Sequence, residues 1–269
     1  MDAPPAFAPG EVWLVGAGPG DADLLTLKAA RLIGRCDVLF FDALVGPEIL
    51  DLAPTHARRI HVGKRSGRHS RDQRDINALL LEAALDGQRV VRLKGGDPSI
   101  FGRSAEEMDC LRAHGVRVQI CPGVTAASAA AASGGLSLTL RGVARQLTFV
   151  TAHARAGEHL SLDWVGLAAA DATLAIYMGR AAAPEIARNL MVHGLAPSTP
   201  VMIAVNVSLA NERIIHGRLD ALAFLTAAIS DDDPTLVLIG EAVRPPAAAD
   251  PTHRLDAALL PQTPLLQRL

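Results

Sequence analysis

Along the chain, short apolar runs alternate with stretches whose apolar residues recur at helical spacing. Residues 12–15, 38–41, 90–93, 116–120, 147–151, 173–177, 201–205 and 236–239 are each bounded by Gly or polar turn residues and predict buried strands. Ile76, Leu79, Leu80, Ala83 and Ala84 fall on one helical face, as do Ala183, Ile186, Ala187, Leu190 and Met191, and Leu219, Leu222, Ala223, Thr226 and Ala227. This alternation predicts an α/β fold, and the number of strands predicts two αβα domains with mostly parallel sheets. The division is expected at the Pro122-Gly123 turn, giving an N-terminal domain over 11–122 and a C-terminal domain over 123–244. Residues 245–269, rich in proline and without sustained periodicity, read as an extended tail.

Composition narrows the class without naming a function. With 269 residues, 49% of them apolar and 20% charged, the chain is long enough for one or two packed cores and is neither disordered nor coiled-coil in composition. A formal charge of −2 gives no global field for nucleic acid. Three cysteines without CxxC spacing fit a reducing compartment, and the N-terminus lacks the pattern of a secretory signal, so a cytoplasmic location is expected. Residues 118–140 are uncharged but interrupted by Pro and Gly and dominated by Ala, which fits a small-residue helix in a core better than a membrane span. Aromatic residues make up 3%, so little ring stacking is available to a ligand.

Three segments carry candidate chemistry. GAGPGD, Gly16 to Asp21, follows the first strand. It reads either as a turn that lets a ligand approach bare backbone at a sheet edge, or as a tight strand-to-helix turn capped by Asp21 or Asp23. Asp21 in the sixth position and Pro19 in the loop argue against a dinucleotide fingerprint. RLKGGDPSIFGRSAEE, Arg92 to Glu107, again sets glycines and a carboxylate, Asp97, after an apolar strand. Within it, Ser104 and Glu107 have the spacing of a capping box, and Glu106 suits a helix N-terminus. Residues 58–75 hold seven Lys or Arg against two Asp, which reads as a solvated face or as a dock for a polyanion. Neither metal-ligand spacing nor a GxSxG elbow is found.

VWLVGAGPGDADLLTLKAA (12–30), CDVLFFDALV (36–45), VGKRSGRHS (62–70), VVRLKGGDPSIFGRSAEE (90–107), PGVTAASAAAA (122–132), FVTAH (149–153) and IYMGR (176–180), taken in order, resemble the uroporphyrinogen-III C-methyltransferases of the tetrapyrrole methylase superfamily. The resemblance implies the class III methyltransferase fold, a homodimer, and S-adenosylmethionine bound in the cleft between the domains. It implies two successive methylations of uroporphyrinogen III, at positions 2 and 7, giving precorrin-2 by way of precorrin-1 for the cobalamin or sirohaem branch, with S-adenosylhomocysteine as second product. Matched by position, the cofactor contacts would be Pro19, Gly95, Gly96, Asp97, Ile100, Thr125, Ala126, Met178 and Val207. Asp42 and Lys64 match a proton acceptor and a proton donor, and Arg103 and Glu106 match positions implicated in substrate handling or catalysis. No metal, membrane or nucleic acid is implied.

General chemistry agrees with this assignment. A sulfonium activates its methyl group, so the protein has mainly to align donor and pyrrole carbon and to assist loss of a proton. Ala43, Ser99, Ser104-Ala105, Ala152 and Val207-Ser208 depart from the residues common at these positions. The alternatives are a later precorrin methyltransferase of the same superfamily and a non-catalytic anion-binding protein. A fused dehydrogenase or ferrochelatase module is not expected within 269 residues.

Overall fold

The computed structural model describes residues 7–63, 72–152 and 160–245. The first sheet contains β1 (Val12–Gly16), β2 (Val38–Phe41), β3 (Arg58–His61), β4 (Val90–Lys94) and β5 (Val118–Cys121), in the order β3-β2-β4-β1-β5, and every pairing is parallel. Helices α1 (Leu27–Ile33) and α2 (Pro47–Leu50) cover the face presenting Trp13, Val15, Leu39, Val91 and Leu93. On the opposite face α3 (Gln73–Leu85) and α4 (Ser104–Ala113) pack Ile76, Leu80 and Leu111 against Leu14, Phe40 and Val90. Burial on both faces explains why these strands read as continuous apolar runs.

The helix α5 (Ala126–Ser133) follows β5 in sequence but packs on the second sheet, where Ala127, Ala129 and Ala130 meet Ala175, Met202 and Leu238. Alanine there keeps the helix close to the strands. That sheet has the order β6-β7-β10-β8-β9, built from β6 (Gln146–Thr151), β7 (Ala172–Tyr177), β8 (Pro200–Val205), β9 (Arg213–Arg218) and β10 (Thr235–Ile239). Its far face is covered by α7 (Ala183–Val192) and α8 (Leu222–Ala227), with α6 (Trp164–Leu167) beside α7.

The sheets differ in a way that the apolar pattern does not disclose. Only β6 and β7 run parallel in the second sheet; β7–β10, β10–β8 and β8–β9 are antiparallel. The parallel expectation therefore holds for the first sheet and is corrected for the second. Strands covered on both faces are apolar whichever way they run, and the short link from β8 to β9 permits only a hairpin. Strands β3 and β9, at sheet edges, were not anticipated. Their sequences RRIH and RIIHGR are polar because an edge strand carries charge that discourages further pairing. The proline-rich stretch beyond Pro245 lies outside the described residues.

Candidate functional site

The carboxyl ends of β1, β4 and β5 meet backbone to backbone. A Cβ on Gly16 would stand 2.6 Å from Gly123 and from the Gly96 carbonyl, and one on Gly123 would clash with that same carbonyl. Gly18 and Gly96 exchange backbone hydrogen bonds of 3.2 and 2.7 Å, and both have positive φ. Much of the glycine pattern in GAGPGD and KGGD thus serves close packing of three loops. Gly96 differs, because a Cβ there would meet nothing within 4 Å. Its bare backbone borders open space.

Asp97 fixes the same junction. Its Oδ1 accepts from Ser99 N–H at 2.7 Å and its Oδ2 from Gly123 N–H at 3.1 Å. Asp21 caps the short turn after β1 by accepting from Asp23 N–H, so the capping alternative holds for it. Pro19 sits between Gly18 and Gly20, and Gly20 lies against Leu209 and Ser208 of the β8–β9 hairpin. The Ser208 hydroxyl accepts from Asp21 N–H at 3.0 Å.

Beside this junction a cavity of about 270 Å³ is lined by Asp42, Leu44, Gly63, Gln73, Arg92, Lys94, Gly95, Ile100, Phe101 and Arg103. At its base lies a buried ionic cluster. Glu107 is 0% exposed and accepts from Lys94 Nζ at 2.9 and 2.8 Å, from Arg92 Nε at 3.2 Å and from Gln73 Nε2 at 3.3 Å. Arg92 in turn donates from Nη2 to Asp42 Oδ1 at 2.6 Å. Two cations thus face two carboxylates, the arrangement that makes buried charge tolerable. Burial, with Arg92 nearby, pushes the Lys94 ammonium below its ordinary value despite Glu107.

The capping box is not formed. Arg103, with φ 54°, is the N-cap residue and makes no side-chain cap, while Ser104 donates to the Pro98 carbonyl at 2.5 Å. Glu107 serves the ionic cluster. Arg103 and Glu106 form an exposed bidentate pair at 2.8 and 2.7 Å, which holds Glu106 below the usual carboxylate range.

The start of α5 and the end of β7 meet next to the loop after β4. Thr125 Oγ1 and Tyr177 Oη are 2.5 Å apart, and Ala127 N–H donates to Tyr177 Oη at 3.3 Å. Ala126 follows Thr125 as the first residue of α5. The Phe101 ring packs on Tyr177 at 5.1 Å, so a loop from the first sheet touches a strand of the second. Met178 is 49% exposed. Phe101, Arg103, Met178, Asn206 and Ser208 are the non-glycine residues with positive φ among the described residues, and all lie in these loops. Such strain gathers where surrounding structure holds a site in place.

The structure therefore brings Asp42, Gly95, Ile100 and Arg103 to one cavity, with Gly96, Asp97 and Pro19 at the adjoining glycine junction, while Thr125, Ala126 and Met178 lie at the joined ends of α5 and β7 and do not line that cavity. Val207 packs its side chain in the core of α5 and the second sheet. Lys64 lies outside the described residues, as do Arg65, Arg68 and Arg71 of the basic segment. Arg58 and Arg59 begin β3, at the opposite end of the parallel strands from Asp42, and bond Gln88 and Asp51. They belong to the sheet edge rather than to the cavity.

Arg92, Lys94, Glu107 and Tyr177 were not among the predicted site residues. Arg92 and Lys94 had a signal, since two cations at alternate positions of an apolar strand point to one face and require buried anions. Tyr177 had one too, as the single tyrosine of the chain.

The profile of the Tetrapyrrole (Corrin/Porphyrin) Methylases matches residues 11–223. The chain is 46% identical over 244 residues to a siroheme synthase of Pseudomonas putida, covering 91% of this chain and 52% of that protein. A siroheme synthase of Gluconacetobacter diazotrophicus is likewise 46% identical, with 87% and 50% covered. The chain spans about half the length of these curated relatives. Among solved structures, a uroporphyrin-III C-methyl transferase from Thermus thermophilus complexed with S-adenyl homocysteine superposes with TM-score 0.74 at 39% identity, covering 87% of this chain and 93% of that one. A cobalt precorrin-4 methyltransferase superposes with TM-score 0.78 at 25% identity, with 88% and 97% covered.

Proposed function

Because the chain belongs to the tetrapyrrole methylase family, we propose that it transfers methyl groups from S-adenosylmethionine to uroporphyrinogen III, at position 2 and then 7, giving precorrin-1 and then precorrin-2. The observation that carries this reading is the 39% identity to the Thermus thermophilus uroporphyrin-III C-methyl transferase complexed with S-adenyl homocysteine, 93% of which is covered. The residues of the cleft fit such a cofactor. The Gly96 backbone borders open space, Met178 is half-exposed, and the Thr125 side chain makes no cap of its own helix.

When bound, S-adenosylmethionine supplies an electrophilic methyl group on a sulfonium. The chain aligns a pyrrole carbon with it and excludes water, and most of the rate acceleration follows from that positioning. Asp42, held at Oδ1 by Arg92, presents its carboxylate to the cavity and accepts the proton lost after methylation. The Arg103 guanidinium, paired with Glu106 in this structure, exchanges that partner for a carboxylate of the substrate. Lys64, which follows the cavity residue Gly63 in sequence, takes the proton-donor role that its motif implies. Domains over 11–122 and 123–244, a tail over 245–269, a homodimer and a cytoplasmic location complete the proposal, with the product entering the cobalamin or sirohaem branch.

The test is incubation of the purified chain with S-adenosylmethionine and uroporphyrinogen III under reducing conditions, followed by mass spectrometry. The expected product carries two added methyl groups, with a singly methylated species early in the reaction. Absence of any methylated product overturns the proposal.

A further inference from the structure

We propose that Tyr177 is a positioning residue for S-adenosylmethionine: it caps α5 in place of Thr125 and donates to Thr125 Oγ1, which turns the Thr125 proton to the ligand. The inference rests on the proposed methyl-donor site and deepens it. Thr125 occupies the N-cap position of α5, where a threonine ordinarily accepts from the backbone of the first turn, yet it makes no such bond. The Ala127 N–H it would cap donates to Tyr177 Oη, which comes from β7. Tyr177 Oη and Thr125 Oγ1 share one hydrogen bond of 2.5 Å in which either hydroxyl can donate, and the proposed arrangement has the phenol as donor. With the phenol as donor, the Thr125 proton is not spent on Tyr177 and is available to an acceptor on the ligand.

The ring has a separate task. Phe101 and Phe149 pack on it at 5.1 and 5.8 Å. Phe101 lines both the cavity that holds Asp42 and a second one, of about 470 Å³, along β6 and α6. Tyr177 thus buttresses the side chain that separates the two cavities. Met178, the next residue, projects from the same anchored strand end. One phenol therefore links the loop after β4, the start of α5 and the half-exposed Met178.

Isothermal titration calorimetry with S-adenosylhomocysteine separates the two tasks. Tyr177→Phe keeps the ring and removes the hydroxyl. It is expected to weaken binding about tenfold, with kcat at saturating donor within about twofold of the parent, so that the loss appears in the KM for S-adenosylmethionine. Thr125→Val is expected to show a similar loss, and the double variant no more than the larger single loss, because both remove one arrangement. Tyr177→Ala also frees Phe101 and is expected to lower kcat. Binding by Tyr177→Phe within about twofold of the parent, or losses that multiply in the double variant, overturns the inference while leaving the methyl-donor site in place. A parent chain that binds no S-adenosylhomocysteine overturns both.

Discussion

Replacing Glu107 by glutamine tests the buried ionic cluster most sharply. The carboxylate is wholly buried and accepts four hydrogen bonds, two from Lys94 and one each from Arg92 and Gln73. Glutamine retains one acceptor oxygen but removes the charge, leaving Lys94 buried without a counterion and Arg92 with Asp42 alone. Breaking a buried pair from one side costs about 3–5 kcal/mol, and the retained oxygen places Glu107→Gln near 3 and Glu107→Ala near 5. For a chain of this size the smaller figure corresponds to a fall in Tm of roughly 10 °C. Equilibrium urea unfolding followed by circular dichroism measures the difference. Lys94→Met combined with Glu107→Leu removes both charges and is expected to recover most of the loss, since an apolar pair of similar volume replaces buried ions at little cost. Function changes separately: without Glu107 the guanidinium that holds Asp42 loses its anchor, so turnover falls about tenfold or more while S-adenosylhomocysteine affinity is kept. A Glu107→Gln chain within about 1 kcal/mol of the parent would refute the reasoning.

The remaining predictions use other parts of the molecule. Gly123→Ala places a methyl group against the Gly96 carbonyl and is expected to cost about 3 kcal/mol, whereas Gly96→Ala meets no atom, costs about 1 kcal/mol for its positive φ, and instead weakens ligand binding; thermal unfolding with and without S-adenosylhomocysteine separates them. The Arg89 guanidinium holds the Asp37 carboxyl below its ordinary 3.8, so this pair stabilises the fold fully above that pH and loses its effect as pH falls through the folded-state value. Asp37→Asn should therefore cost about 1–2 kcal/mol at neutral pH, and the gap to the parent should close in acid when unfolding is followed across pH. Burial pushes the Cys36 thiol up to about 11 and raises Cys121 as well, so a thiol reagent at mildly alkaline pH should label Cys110 in the native chain and all three cysteines only after denaturation, as peptide mass mapping can show.

Much of this architecture was legible because buried strands and amphipathic helices leave periodic marks. The eight apolar runs became strands, and the alanine-rich stretch after Pro122 contains a core helix rather than a span; no described helix is long and apolar enough to cross a membrane. Of the four edge strands, β3 and β9 escaped because their sequences RRIH and RIIHGR are polar, whereas β5 and β6 kept a readable apolar run. Strand direction in the second sheet escaped because burial on two faces erases the difference between parallel and antiparallel neighbours. In the site, Asp42 and Arg103 could be placed through their motifs, whereas Glu107 was misread: its spacing from Ser104 matches a capping box, and only the fold shows Lys94 and Arg92 aimed at it. In sequence the cations of residues 58–75 form one patch, although Arg58 and Arg59 begin β3 at the far end of the sheet from Asp42.

The central claim is that this cleft methylates uroporphyrinogen III on carbon. The most direct measurement is a reaction with S-adenosylmethionine carrying an isotope-labelled methyl group, with the product analysed by nuclear magnetic resonance. The account predicts label on two ring carbons, at positions 2 and 7, and loss of that product in Asp42→Asn. Label at other positions, or none transferred by a chain that binds S-adenosylhomocysteine, would contradict it.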